Sequence, residues 1–168
     1  MTLAPAMLAV IAMAAGGRSP VVCQPLRSGI DGQSDGVMIR LQPQICASLS
    51  LLTPSSLSND ALWALQTALH EASHVAIYRT RSDALWTSEP HVECRALRWV
   101  PRAVRQLGGS DFQALLALDR ARAMVRHRLP AAYQSRCTRV PPQVIQIRHV
   151  MGRRMSLARA SVNDGVGL

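Results

Sequence analysis

The chain has 168 residues, enough for one domain with a core of its own, and 48% of them are apolar, which excludes a disordered polyelectrolyte. The formal net charge is +9, and all 19 basic residues are arginine. The positive charges are spread thinly along the chain, and three Trp, two Tyr and one Phe are too few for a base-stacking surface, so we expect no nucleic-acid partner.

The N-terminal stretch is uncharged up to Gly17, and residues 3–15 are almost wholly apolar. It is short for a membrane span, which takes about 20 residues. Positions 12–14 (Ala-Met-Ala) fit the small-x-small pattern before a signal-peptidase site. We predict that residues 1–15 are a signal peptide or a short anchor, with a buried apolar N-terminus as the alternative. The protein would then be secreted or held in the cell envelope, with membrane contact only through an uncleaved segment.

Residues 16–57 are predicted to be an irregular N-terminal segment. Residues 16–36 are rich in Gly, Ser and Pro, which is typical of a linker, and residues 37–41 are a candidate short strand. Pro43, Pro54 and several Ser mark residues 42–58 as a connection, with at most one helical turn near Cys46.

Four cysteines lie at positions 23, 46, 94 and 137. In an oxidising compartment an even number favours disulfides, and three pairings are possible. We favour Cys23–Cys46 with Cys94–Cys137, because each closes a loop of about 20–45 residues, worth about 3–4 kcal/mol in the chain-entropy account. No Cys-x-x-Cys pair is present, which argues against a thiolate zinc ribbon.

Residues 58–137 carry the helical patterns, and the first helix has the strongest signal. Ser58, Asn59 or Asp60 can cap its start, and it should end near residues 78–81. Apolar side chains recur at alternating steps of three and four along it, which predicts one buried stripe of Leu62, Leu65, Leu69, Ala72 and Ala76.

Two more helices follow in the same region. Ser88 can cap the second, which should run to about Val100, where Pro101 interrupts or kinks it. The third opens at Ser110 and closes near Pro130, with a predicted inner face of Phe112, Leu115, Leu116, Met124 and Val125. We expect residues 138–168 to be a loosely ordered tail, partly helical from 144 to 160.

The sequence His70-Glu71-Ala72-Ser73-His74 is an HExxH pattern inside the first predicted helix. Residues i and i+4 share a helix face, so His70 and His74 present both imidazoles to one point, which suits Zn²⁺. Glu71 can take a proton from a water that the metal activates. The ligand face is offset by one residue from the apolar stripe, as a cleft site beside the core requires.

A catalytic zinc needs a third protein ligand and an open fourth position. The three Glu of the chain all lie between positions 71 and 93. Glu89 and Glu93 are four residues apart on the second helix, so one can bind the metal while the other accepts the free ring N–H of a ligating His. His91 and Cys94 are further ligand candidates. Two carboxylates this close are costly unless a cation joins them.

The segments 67–74 and 89–97 together resemble a zincin metallopeptidase of the gluzincin type. In that family HExxH supplies two His, and a following helix supplies a Glu within E-x-x-A-[DE]. Residues 89–93 (Glu-Pro-His-Val-Glu) fit with Val for Ala, so the resemblance implies Glu89 as the third ligand. The chain is also similar to small HExxH proteins of actinobacteria that carry a Glu five residues before a Cys and then an Ala. The resemblance covers about residues 60–137.

The resemblance implies a mainly α fold: a small zincin-like domain (58–137) in which the HExxH helix packs on a second ligand-bearing helix, with at most a minimal β element. It implies a secreted zinc-dependent peptidase acting on a peptide or protein, with His70, His74 and Glu89 as metal ligands and Glu71 as the general base. Tyr78, His91 and Tyr133 are the candidate oxyanion stabilisers.

Two alternatives stay open at this point. One is a secreted, non-catalytic domain that keeps the HExxH geometry to bind metal or to build structure. The other is an arginine-rich envelope protein that binds polyanions, which the charge of +9 would favour. The sequence gives neither the substrate nor the oligomeric state.

Overall fold

Five helices and one small sheet build the part of the chain that the structure, a computed structural model, describes: residues 2–80, 88–131 and 137. The prediction of a mainly helical fold with a minimal β element is confirmed for these residues. In chain order the elements are α1 (Pro5–Ala14), β1 (Val21–Cys23), β2 (Gly32–Ser34), β3 (Ile39–Leu41), α2 (Pro43–Ser50), α3 (Asn59–Arg79), α4 (Glu89–Gln106) and α5 (Asp111–Arg128).

Helix α3 is the central element, and it begins as its sequence predicts. The Ser58 hydroxyl accepts a hydrogen bond from the Ala61 N–H at 3.1 Å, which caps the helix. Every residue of the predicted apolar stripe is buried. Burial extends well around the helix, because α3 contacts α1, α2, α4, α5 and the strands β2 and β3. A helix enclosed in this way can hold polar groups away from bulk water.

The sheet has the strand order β1-β3-β2. Strand β3 is central and lies parallel to β1 and antiparallel to β2. Its residues alternate, with Ile39 and Leu41 buried and Arg40 turned away from the core. Strand β2 is therefore an edge strand, and it contacts α3.

The prediction that residues 16–57 are irregular is wrong in part, while the candidate strand within residues 37–41 is confirmed by β3. All three strands lie in this segment, and α2 forms a helix of eight residues where at most one turn was expected. The Cys23–Cys46 disulfide joins β1 to α2. Strands β1 and β2 have only three residues each, too few for the alternation of apolar and polar positions to show in the sequence.

Helix α4 continues through Pro101 to Gln106, so of the two effects expected of this proline an interruption is wrong. Leu97, Val100 and Val104 are buried on both sides of the proline. Their burial offsets the backbone hydrogen bond that proline cannot donate. Ser88 occupies the N-cap position, but its side chain makes no capping hydrogen bond.

Helix α5 opens as predicted, with a capping box formed by Ser110 and Gln113. Its predicted inner face is wrong in part, because Phe112 and Leu116 are exposed and only Val125 of that set is buried. The buried face consists mainly of small residues: Ala114, Ala117, Leu118, Ala121 and Val125. Small side chains let α5 approach α4 closely. The apolar periodicity had instead favoured the large residues of the helix as its inner face.

Helix α1 belongs to the core of the described structure. Met7, Val10 and Ile11 are buried, and α1 contacts α3 and α4. The guanidinium of Arg79 donates to the Ala15 carbonyl at 3.1 Å, which places a cation at the C-terminal end of the helix. The buried apolar N-terminus that was the alternative for residues 1–15 is thus present in this structure, while cleavage of the segment stays a prediction.

No helix among the described residues is both long and apolar enough to cross a membrane. Both disulfides of the favoured pairing, Cys23–Cys46 and Cys94–Cys137, are present. The predicted tail (138–168), its helical part (144–160) and Tyr133 lie outside the described residues.

The burial of α1 predicts a clear difference between two substitutions in the full chain. Ile11→Ala should lower the free energy of unfolding by about 2–4 kcal/mol, because Ile11 is 0% exposed and would leave a cavity. Leu8→Ala is the matched control on the same helix: Leu8 is 40% exposed, so its loss should change stability by about 0.5 kcal/mol or less. Urea unfolding measures both, and equal effects would contradict the packing of α1.

Candidate metal centre

Three electron-rich atoms from two helices meet at one point. His70 Nε2 lies 3.0 Å from Glu89 Oε2, and His74 Nε2 lies 3.6 Å from the same oxygen. The two Nε2 atoms are 3.2 Å apart. Helix α3 supplies both imidazoles from consecutive turns, and the first turn of α4 supplies the carboxylate. These residues could hold a metal ion.

The spacing of these atoms fits a tetrahedral ion. Ligand atoms about 2.0–2.1 Å from a tetrahedral metal lie about 3.3 Å from each other, close to the separations of 3.0, 3.2 and 3.6 Å seen here. Glu89 Oε2 is buried, and no donor within the described residues makes a hydrogen bond to it. A buried carboxylate oxygen without a donor is costly, and a cation would satisfy it.

Glu93 holds the ring of His70 from the other side. Its Oε2 lies 3.0 Å from His70 Nδ1, and its Oε1 accepts a hydrogen bond of 2.5 Å from Gln66 Nε2. Glu93 is 0% exposed. When Nδ1–H donates to this carboxylate, neutral His70 carries a lone pair on Nε2, which is the form that binds metal. The two acids that the spacing left open thus occupy different positions around His70.

Gln66 is a functional candidate that the sequence analysis missed. It lies four residues before His70 on α3, so the two side chains share a helix face. Gln66 is 2% exposed, and its amide is committed to Glu93. The available signal was a polar residue one turn before HExxH, directly after Leu65 of the predicted apolar stripe.

The carboxylates govern the charge of His70. Burial lowers its pKa, but the adjacent carboxylates of Glu89 and Glu93 outweigh that effect and raise the pKa from 6.5 to about 10. The imidazoles of His70 and His74 lower the pKa of Glu89 to about 2. Without an aligned hydrogen bond to Oε2, we attribute this to charge at short distance. Positive charge is therefore strongly favoured at this point, either as a proton or as a metal ion.

Glu71 lies beside the cluster under the edge strand β2. It is 8% exposed, and burial raises its pKa, although the neighbouring imidazoles oppose the rise. A β-carbon at Gly32 of β2 would lie 2.9 Å from Glu71 Cγ and 3.0 Å from Thr67 Cγ2. Glycine therefore lets the strand pass directly over the Glu71 side chain.

The remaining candidates have other positions. Cys94 is bound in a disulfide and is not a thiolate ligand. His91 is exposed on α4 and is not part of the cluster. The ring of Tyr78 packs against Gly36, where a β-carbon would come within 2.5 Å of it, so Tyr78 supports the turn between β2 and β3. Tyr133 lies outside the described residues.

The chain matches no protein-family model, no curated protein and no solved structure. The chemistry of this centre is therefore inferred from its own residues. Two imidazoles and a carboxylate form a donor set that suits Zn²⁺ among divalent ions.

The positions of the two acids predict different losses of metal affinity. Glu89→Gln removes a proposed ligand, so it should weaken Zn²⁺ binding by more than Glu93→Gln does. Glu93→Gln keeps the shape of the side chain but weakens its hold on His70, which should cost about 10–100-fold in affinity. Competition with a chromophoric chelator measures both constants. A larger loss in Glu93→Gln, or no loss in either variant, would contradict the assignment.

The raised pKa of His70 predicts how the metal-free protein responds to pH. Its pKa is 6.5 unfolded and about 10 folded, so its contribution to stability is complete below pH 6.5 and is lost as the pH rises toward 10. Chelator-treated protein should therefore unfold at progressively lower urea concentration across this interval. His70→Ala is the control and should largely remove the dependence; a flat profile in the wild-type protein would refute the coupling.

Proposed function

We propose that this protein is a secreted, zinc-dependent peptidase of the zincin type. The observation that carries the proposal is the convergence of His70 Nε2, His74 Nε2 and Glu89 Oε2 within 3.6 Å of one another, next to a buried Glu71. Two disulfides are in keeping with an oxidising compartment.

His70, His74 and Glu89 would hold the ion, and three protein ligands leave a fourth position open. When bound, zinc supplies a polarised substrate carbonyl and a water whose pKa is lowered toward about 7. Glu93 and Gln66 keep His70 in the required tautomer and orientation.

Glu71 is the group suited to move the proton. Burial raises its pKa, which brings a carboxylate closer to the range of an effective base near neutral pH. In the proposed reaction Glu71 takes the proton of the attacking water and then delivers it to the leaving nitrogen as the peptide bond breaks. The reaction consumes one water and releases a carboxylate and an amine.

Strand β2 would present its free edge to the substrate. It is one of the two edge strands of the sheet, and it passes over Glu71 at Gly32. An extended peptide that adds to such an edge is held by main-chain hydrogen bonds, with little demand on its side chains. A sheet of three strands is thus enough to align a peptide with the centre.

Two substitutions test the proposal together. Glu71→Gln should leave zinc stoichiometry near one but reduce hydrolysis of a quenched fluorescent peptide library by about 10²–10⁴-fold. His70→Ala should abolish both stoichiometric zinc and hydrolysis. His91→Ala is the matched control, since this exposed His is not part of the cluster, and it should behave like the wild-type protein.

The same experiment separates the alternatives. Stoichiometric zinc without hydrolysis of any peptide in the wild-type protein would favour a non-catalytic metal-binding domain. Equal zinc in the wild-type protein and in His70→Ala would refute the metal site itself. Activity that survives unchanged in Glu71→Gln would refute the role of Glu71 as the base.

A further inference from the structure

A cavity of about 390 Å³ lies beside the metal centre. His70, Glu71 and Gly32 line it close to the centre, and Trp63 and Arg128 also line it. Because His70 and Glu71 both face this space, its occupant would lie next to the reacting bond. Trp63 and Arg128, which line the other side of the cavity, are therefore placed to contact a bound substrate.

Trp63 is held from two sides. Its indole Nε1 donates to Asp31 Oδ2 at 2.9 Å, and the guanidinium carbon of Arg128 lies 5.1 Å from the ring centroid. The aromatic face stabilises the cation without using its N–H donors in the ring plane. Trp63 thus positions Arg128 at the cavity.

The Arg128 guanidinium has donors to spare. Within the described part of the chain it makes no hydrogen bond, and its nearest carboxylate is Asp60, with Nη2 and Oδ1 4.0 Å apart. The Asp60 side chain is 83% exposed, so water screens this pair. The carboxylates of Asp31 and Glu93 in the cavity wall have partners of their own. Arg128 is therefore the cation in this cavity wall whose N–H donors are available to bind an anion.

The spacing of Trp63 and Glu71 on α3 gives the distance between the Arg128 side of the cavity and the metal centre. Trp63 and Glu71 are two turns apart on α3, about 12 Å at 1.5 Å per residue. An extended peptide advances about 3.3 Å per residue. Three or four substrate residues would span the interval, and a planar guanidinium is well suited to bind a carboxylate at its end.

We propose that Arg128 binds a substrate carboxylate three or four residues from the bond to be cleaved, an inference that rests on the proposed peptidase function. The carboxylate is either the C-terminus of a peptide or an Asp or Glu side chain. The net charge of +9 would draw such anionic substrates to the protein.

Calorimetry on the zinc-loaded Glu71→Gln protein tests this without turnover. The probes are acetyl-tetraalanine as the free acid, its C-terminal amide, and acetyl-Ala-Ala-Ala-Asp amide. The free acid should bind about tenfold or more tightly than the amide, as a charge-assisted pair predicts. In Arg128→Gln this preference should vanish, and in Arg128→Lys part of it should remain.

Arg102 provides a matched control. Its guanidinium carbon also lies 5.1 Å from a tryptophan ring, that of Trp99, but Arg102 does not line the cavity. Arg102→Gln should keep the preference for the free acid. Equal affinity for acid and amide, no detectable binding of either, or the same loss in both arginine variants would overturn the proposal.

The aspartyl amide identifies the source of the carboxylate. If it binds like the free acid, side-chain carboxylates are accepted; if it binds like the amide, Arg128 selects a C-terminus. The readout is binding, so the two proposals fail separately. A preference for the acid without hydrolysis by the wild-type protein would refute the peptidase but keep the Arg128 site, and hydrolysis without the preference would do the reverse.

Discussion

Three lone-pair-bearing atoms meet at a point from which water is largely excluded. Their close approach requires positive charge there, and the arrangement of the surrounding polar side chains depends on this requirement. His70 Nε2, His74 Nε2 and Glu89 Oε2 lie within 3.6 Å of one another. With the His70 Nδ1–H directed at Glu93, no proton of neutral His70 is left for this contact. Either a proton on an imidazole or a divalent ion must supply positive charge at this point.

Apolar packing around the cluster offsets the free energy that is lost by burying its polar groups. Glu93 is fully buried, and a buried carboxylate is tolerated only when it is paired and hydrogen-bonded, as it is here by His70 and Gln66. Helix α3 is enclosed by four helices and the sheet, which fixes the side chains of the centre on a rigid element. Buried polar groups that lower the stability of a core are expected at functional sites.

Local signals in the sequence predicted the parts of the molecule that depend on local structure. The Ser58 cap, the bounds of α3 and the pairing of the cysteines agree with the structure, and His70, His74 and Glu89 lie close together. The failures depend on tertiary contacts. The missed strands β1 and β2 have three residues each and show no periodicity. The buried face of α5 consists mainly of alanine beside larger apolar residues that are more exposed, and the role of Gln66 depends on a residue 27 positions away.

The central claim is that one divalent ion binds to these three side chains, and zinc K-edge X-ray absorption measures this coordination directly. For protein loaded with one equivalent of Zn²⁺, the account predicts four-coordinate zinc with N or O neighbours at about 2.0–2.1 Å, two of them imidazoles, and no sulfur. The imidazole scattering should fall by half in His74→Ala. A sulfur shell, a six-coordinate oxygen environment, or a spectrum unchanged by that substitution would contradict the account.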